Sequence, residues 1–208
     1  AKLIPAAEFR FRPRYGSPSI SVHIEAELAI AIQHQRPFAF AQGIAILGRD
    51  HLLTCIQTVG IHPNNERYLF YLANSYLDAG QYQGAIDTYK QRIQVGGWKE
   101  EVWYCYYSIG RAYKLLFTSE NMHNANYIFH AIYYWMEAYN YYPERIENLY
   151  EIVKIYREQG KHILAYQFYL MADYQRKHHY SDDHLFHEKA IYDHKLDYEF
   201  TSFWVCLE

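Results

Sequence analysis

The chain has 208 residues, enough for one sizeable core or one short array of repeats but little for two domains. Its 20 Lys+Arg against 23 Asp+Glu leave a formal charge of −3, which argues against a chain built mainly to coat nucleic acid or an anionic membrane. Aromatic residues make up 19%, with 24 Tyr, 11 Phe and 4 Trp against 10 Gly and 6 Pro, and that much buriable surface excludes a disordered, collagenous or low-complexity chain.

Residues 1–23 hold Pro5, Pro13, Gly16 and Pro18 around the alternating run Phe9-Arg10-Phe11-Arg12 and are expected to be extended or poorly ordered. Residues 24–63 read as an atypical helical hairpin, with Pro37 to Ile61 broken near Gly48-Arg49-Asp50 and closed by the turn His62-Pro63-Asn64-Asn65. The apolar stretch Ala26 to Leu47 carries Gln33, His34, Gln35, Arg36 and Pro37, so no membrane span is expected there.

Residues 64–180 are repetitive. Arg67 to Gln94 and Asn148 to Gln175 align on Gly80 and Gly160, and the alignment pairs Leu69 with Leu149, Tyr76 with Tyr156, Ala85 with Ala165 and Tyr89 with Tyr169. Leu69, Leu72, Ala73 and Tyr76 form a helical stripe before the glycine, and Tyr82, Ala85, Ile86, Tyr89 and Ile93 form another after it. Each unit is therefore helix, turn, helix, with the glycine in the left-handed conformation at the first helix end. The small Ala85 and Ala165 let the second helix approach the first while tyrosines fill the groove. A degenerate copy lies between them: Ile109, Gly110 and Tyr113 fit a first helix, and Ala131, Trp135, Ala138 and Pro143 a second. The added segment Phe117 to Asn126 predicts a longer turn or extended helix ends. In residues 181–208, Ser181-Asp182-Asp183 reads as an N-cap and Leu185, Phe186, Ile191 and Tyr192 as the stripe of capping helices that follow it.

These residues resemble the tetratricopeptide repeat, a family of helical hairpins of about 34 residues that stack into a right-handed solenoid. The usual first-helix Trp of that family is Leu69, Tyr106 and Leu149 here, and its usual small residue is Ala73, Gly110 and Val153. The expected fold class is all-α, with an irregular N-terminal segment and capping C-terminal helices. Across residues 60–200 the chain is also similar to the helical-repeat region attached to certain family 2 glycosyltransferases, most specifically at Gly96-Gly97-Trp98-Lys99-Glu100-Glu101-Val102-Trp103. It has no Asp-x-Asp pair to hold a divalent ion against a diphosphate, so it is expected not to be the catalytic part of such an enzyme.

Other chemistry is poorly signalled. Cys55, Cys105 and Cys206 are too dispersed for a disulfide framework or a metal knuckle, and a reducing, cytoplasmic setting follows as the expectation. His178, His179, His184, His187 and His194 cluster without an HExxH pattern and read as surface positions of a capping helix rather than a metal site. Cys105, among Trp103, Tyr104, Tyr106 and Tyr107, reads as a buried, inert thiol. No GxSxG sequence or phosphate-binding glycine loop occurs, and no enzyme activity, cofactor or metal is expected. The chain begins with Ala, shows no leader pattern, and is still apolar at Ser202 to Glu208; a fragment or processed chain is the expectation.

The resemblance implies a concave surface lined by the first helix of each hairpin. Its positions select Arg67, Phe70 and Asn74, then Tyr104, Tyr107, Arg111 and Lys114, then Tyr150, Lys154 and Arg157. Rings beside cations suit an acidic or carboxylate-ending protein segment; a second copy of the chain is another partner in view, and nucleic acid and membrane are not. Only Asn74 matches part of the family's carboxylate clamp, and Phe70 stands where its Lys would be, so a chaperone-tail receptor is not expected. Circular dichroism should show a helix-dominated spectrum, and a strand-dominated one would overturn the fold class.

Overall fold

Asn65 closes the turn that starts at His62, and its side-chain carbonyl accepts from the backbone N–H of Arg67 at 3.1 Å and of Tyr68 at 3.0 Å. Two of the four orphan donors of the next helix are thereby satisfied. The computed structural model describes residues 44–119, 124–181 and 183–204, and the chain divides at Ile44, so the account concerns the unit Ala45–Glu208. The expectations for residues 1–23 and for the first half of the hairpin at 24–63 lie outside the described residues.

The elements in chain order are α1 (Ile44–Ile61), α2 (Glu66–Asp78), α3 (Tyr82–Val95), α4 (Lys99–Ser119), α5 (Asn126–Tyr141), α6 (Glu147–Glu158), α7 (His162–His179), a π-helical turn (Ile191–Lys195) and α8 (Leu196–Trp204). Among the described residues there is no strand, and no helix is long and apolar enough to cross a membrane. Helices α2 with α3, α4 with α5, and α6 with α7 form three consecutive hairpins.

The glycine turns close these hairpins as their sequence demands. Gly80 and Gly160 have φ of 71° and 69°. Around them, Gln81 donates its N–H to the Tyr76 carbonyl at 2.9 Å and Lys161 does the same to Tyr156 at 2.8 Å. This six-to-one bond needs a left-handed residue at its centre. Beyond the turns, Ala85 and Ala165 are fully buried, so the second helix of each hairpin packs backbone-close on the first. Helix α1 supplies a preceding layer: Leu52 and Cys55 pack on Leu72, and the Ser75 hydroxyl and His51 Nδ1 lie 3.1 Å apart.

The middle hairpin depends on one glycine. Gly110 lies directly under the Trp135 indole, whose Nε1 donates to the Tyr107 carbonyl at 3.1 Å. The Trp135 carbonyl in turn accepts from Asn148 at 2.9 Å, so one fully buried residue, through its indole and its backbone, ties α4 and α5 to the start of α6. The insertion at Phe117 to Asn126 is partly absorbed by lengthening α4 to 21 residues.

Two expectations need correction. The break near Gly48-Arg49-Asp50 does not form, and α1 runs unbroken through it. A lone helical glycine costs only about 1 kcal/mol relative to alanine, too little to end a helix with no proline nearby. The second concerns the expected cap at Ser181-Asp182-Asp183, of which Asp182 lies outside the described residues: neither Ser181 nor Asp183 caps a helix, and the Ser181 hydroxyl instead accepts from the Asp183 N–H at 3.2 Å. Leu185 and Phe186 lie in irregular backbone with Phe186 at φ 56°, a conformation no helix can continue through. Of the expected stripe, Ile191 and Tyr192 cap the array, and with Leu196 they are buried against Leu149, Val153, Ala165 and Ala172.

A methyl group added at Gly110 would stand 2.3 Å from Trp135 Nε1. Gly110→Ala should therefore destabilise the fold by about 1–3 kcal/mol through overpacking, read as a lower urea midpoint at unchanged slope.

Candidate partner-binding groove

Three equivalent positions on the first helices form a column of rings: Phe70 on α2, Tyr107 on α4 and Tyr150 on α6. All three are buried, at 5%, 3% and 8% exposure. Each meets a residue from the end of the chain. Phe70 lies 5.6 Å, centroid to centroid, from Phe186. The Tyr107 hydroxyl donates to Glu188 at 2.9 Å, and that of Tyr150 to Glu199 at 3.5 Å. Burial, followed by the carboxylates of Glu151 and Glu188, pushes the Tyr107 phenol well above its ordinary range, so it stays protonated and serves as a donor.

The remaining predicted residues fall around this column. Arg67 is half-exposed, 3.5 Å from Glu101 and above the Trp98 ring. Asn74 turns inward, donating to the Phe70 carbonyl at 3.0 Å and accepting from the Tyr89 hydroxyl at 2.7 Å. Its only resemblance to a carboxylate clamp is thereby used in packing. Tyr104 packs against Phe186, its ring tilted by 34° with centroids 4.4 Å apart. Lys114 pairs with Glu151 at 2.7 Å, and Arg157 binds Glu199 and approaches Glu158 at 3.6 Å. Arg111 lies over the Tyr107 ring, 5.7 Å from its centroid. The structure thus brings Phe70, Tyr104, Tyr107 and Arg111 together around Phe186 and Glu188, and joins Tyr150 to Arg157 through Glu199. It leaves Arg67 apart beside Trp98.

The C-terminal segment is held there by a group that periodicity gave no reason to single out. Arg145, in the connection between α5 and α6, is fully buried. It grips Glu147 with two bonds at 3.1 and 2.7 Å and reaches Glu100 at 2.8 Å. It also donates to the carbonyls of Leu185 at 2.8 Å and Phe186 at 3.2 Å. Its guanidinium carbon lies 3.8 Å from the centroid of the buried Trp103 ring. The Tyr192 hydroxyl donates to Glu147 at 2.9 Å, which ties the π-helical turn into the same cluster. His184 joins from the segment itself, its Nδ1 3.4 Å from Glu100, and so is not the surface position expected of it. The only sequence signal was the charge pair Arg145 and Glu147 beside Pro143, which reads equally well as a solvated turn.

A second buried arginine, Arg92, ties α3 to Glu101 on α4 at 2.9 Å. With Gly96 and Gly97 at φ 74° and 92° and Trp103 in the core, the string Gly96 to Trp103 is spent on joining two hairpins. Cys105 is fully buried, and burial raises its thiol far above the usual range. Among the described residues no group of three or more His, Cys, Asp or Glu is placed to hold a metal ion.

No protein-family model matches the chain, and no curated protein matches it. Solved structures do, among them the crystal structure of MamA, with a TM-score of 0.51 and 17% identity over 63% of this chain and 70% of that one. The chain has a tetratricopeptide-like repeat fold. At this identity the likeness speaks for the hairpin array alone.

Removing Arg145 would leave Glu147 buried and unpaired. Arg145→Met should cost about 3–5 kcal/mol in chemical denaturation. Adding Glu147→Leu should restore part of that loss, because the core then no longer holds that stranded charge.

Proposed function

We propose that the chain is a non-catalytic interaction scaffold that binds an acidic segment of a protein partner along the face lined by α2, α4 and α6. One observation supports this most. Arg111 and Lys154 occupy equivalent positions on neighbouring helices, beside the ring column, and neither makes an ion pair among the described residues. Every other cation on this face already holds a carboxylate: Arg67 has Glu101, Lys114 has Glu151 and Arg157 has Glu199. Two cations outside the ion pairs of this face, beside a buried ring column where they are screened less than in open water, form an attractive site for carboxylates.

The rings supply contact area and the cations supply register. A segment lying across successive first helices would place one carboxylate at Arg111 and another at Lys154, with an apolar side chain taking the place of Phe186 against Tyr104 and Phe70. Such recognition suits hairpin arrays, whose binding face is built from repeated positions rather than from one pocket.

The probe for this reading is a fluorescein-labelled acidic peptide, Glu-Glu-Ser-Glu-Glu-Asp, followed by anisotropy at low and high salt. Reversing two half-buried charges, Arg111→Glu with Lys154→Glu, should weaken its binding at least about tenfold while leaving the helical circular-dichroism spectrum intact. Unchanged affinity in a folded variant would remove these two residues from the site.

A further inference from the structure

The connection between α7 and the π-helical turn leaves the capping layer and enters the groove. Phe186 adopts φ 56° there, a left-handed conformation that bulky residues avoid and that its surroundings must offset. Arg145 supplies part of that compensation by binding the carbonyls of Leu185 and Phe186. The Phe186 ring supplies more, lying against Tyr104 and Phe70. Two residues on, Glu188 takes the Tyr107 hydroxyl at 2.9 Å and faces Arg111 electrostatically without reaching ion-pair distance.

This seating is only partly closed. Phe186 keeps 37% of its surface exposed and Glu188 is likewise exposed, whereas the cap beyond them has further anchors of its own. Ile191, Tyr192 and Leu196 are buried in the terminal core, and Glu199 binds Arg157. The side chains of Phe186 and Glu188 can therefore swing out of the groove while the backbone keeps its bonds to Arg145 and α8 stays docked.

We propose that Phe186 and Glu188 are an internal ligand, and that the seat they fill takes a partner segment carrying an aromatic residue two positions before a carboxylate, which displaces them. This rests on the reading of the groove as a partner site and adds the partner's pattern and a built-in competitor. The seat consists of Phe70 and Tyr104 for the ring, with Tyr107 and Arg111 for the carboxylate. An attached competitor acts at high effective concentration and lowers apparent affinity by the fraction of time it is seated.

The probes are two labelled peptides used with the full chain. One has the sequence of residues 183–190, Asp-His-Leu-Phe-His-Glu-Lys-Ala; the other replaces its Phe by Ala. The variant is Phe186→Gly with Glu188→Gln, because glycine accepts the left-handed backbone while emptying the ring's seat. The variant should bind the first peptide about tenfold more tightly than the unaltered chain does, as expected when a competitor seated about nine-tenths of the time is removed. The peptide lacking Phe should show no such gain. Glu188→Gln alone, which keeps the ring in place, should give a smaller gain and serves as the test if the double variant fails to fold. Equal affinity of variant and unaltered chain, equal gain for both peptides, or no binding by the folded variant would overturn the inference. Weaker binding of the acidic probe by Arg111→Glu with Lys154→Glu, alongside no gain in the emptied variant, would sink the internal ligand and leave the groove reading standing. A gain in the emptied variant together with no effect of those charge reversals would do the reverse.

Discussion

The ion cluster around Arg145 is the constraint on which the rest of the arrangement depends. A guanidinium with no exposure is tolerable only if nearly all its donors are satisfied, because an unpaired charge in such a setting is far costlier than an unpaired amide. Arg145 meets that condition by recruiting Glu100 from α4, Glu147 from α6 and two carbonyls from the C-terminal segment. The same five-donor geometry that makes arginine suited to forked carboxylate recognition here fixes three separate parts of the chain to one point. Its stack on Trp103 lets the cluster sit inside an aromatic core instead of beside it.

Much of what lies around the groove follows from that anchoring. With the carbonyls of Leu185 and Phe186 held, the backbone between α7 and the π-helical turn has little freedom to pass elsewhere, and the Phe186 ring is delivered onto Tyr104 and Phe70. Glu188 follows toward Tyr107, and the returning helix brings Glu199 to Tyr150 and Arg157. The ring column is thus buried by contacts with the chain's own terminus as well as by the packing of neighbouring hairpins. Aromatic residues serve both purposes: Trp103 and Trp135 fill the space between helices, while Phe70 and Tyr104 present faces that a segment from outside the hairpins can cover.

The legible and illegible parts of the molecule differ in range. Gly80 and Gly160, Ala85 and Ala165, and the stripe from Leu69 to Tyr76 carry their meaning within one hairpin, and the structure places them as their spacing dictates. Positions equivalent by repeat, such as Phe70, Tyr107 and Tyr150, could be assigned to one face before any coordinates existed. What sits on that face could not, because Glu188 and Phe186 reach it from more than seventy residues away in sequence. Asn74 illustrates the difference: its helical register was readable, whereas its commitment to Tyr89 is a matter of which rotamer the packed hairpin leaves available.

The sequence by itself determined the hairpin array, because helical periodicity, left-handed glycine turns and small residues at close contacts are local requirements written into each repeat. Only the tertiary structure decided that Gly48 lies within a helix, that neither Ser181 nor Asp183 caps one, and that the groove already holds part of its own chain. A weak local preference, such as a lone glycine or a serine-aspartate turn, is settled by what the surrounding fold offers. Here that was an arginine whose buried charge required two carbonyls that a helix would have kept for itself.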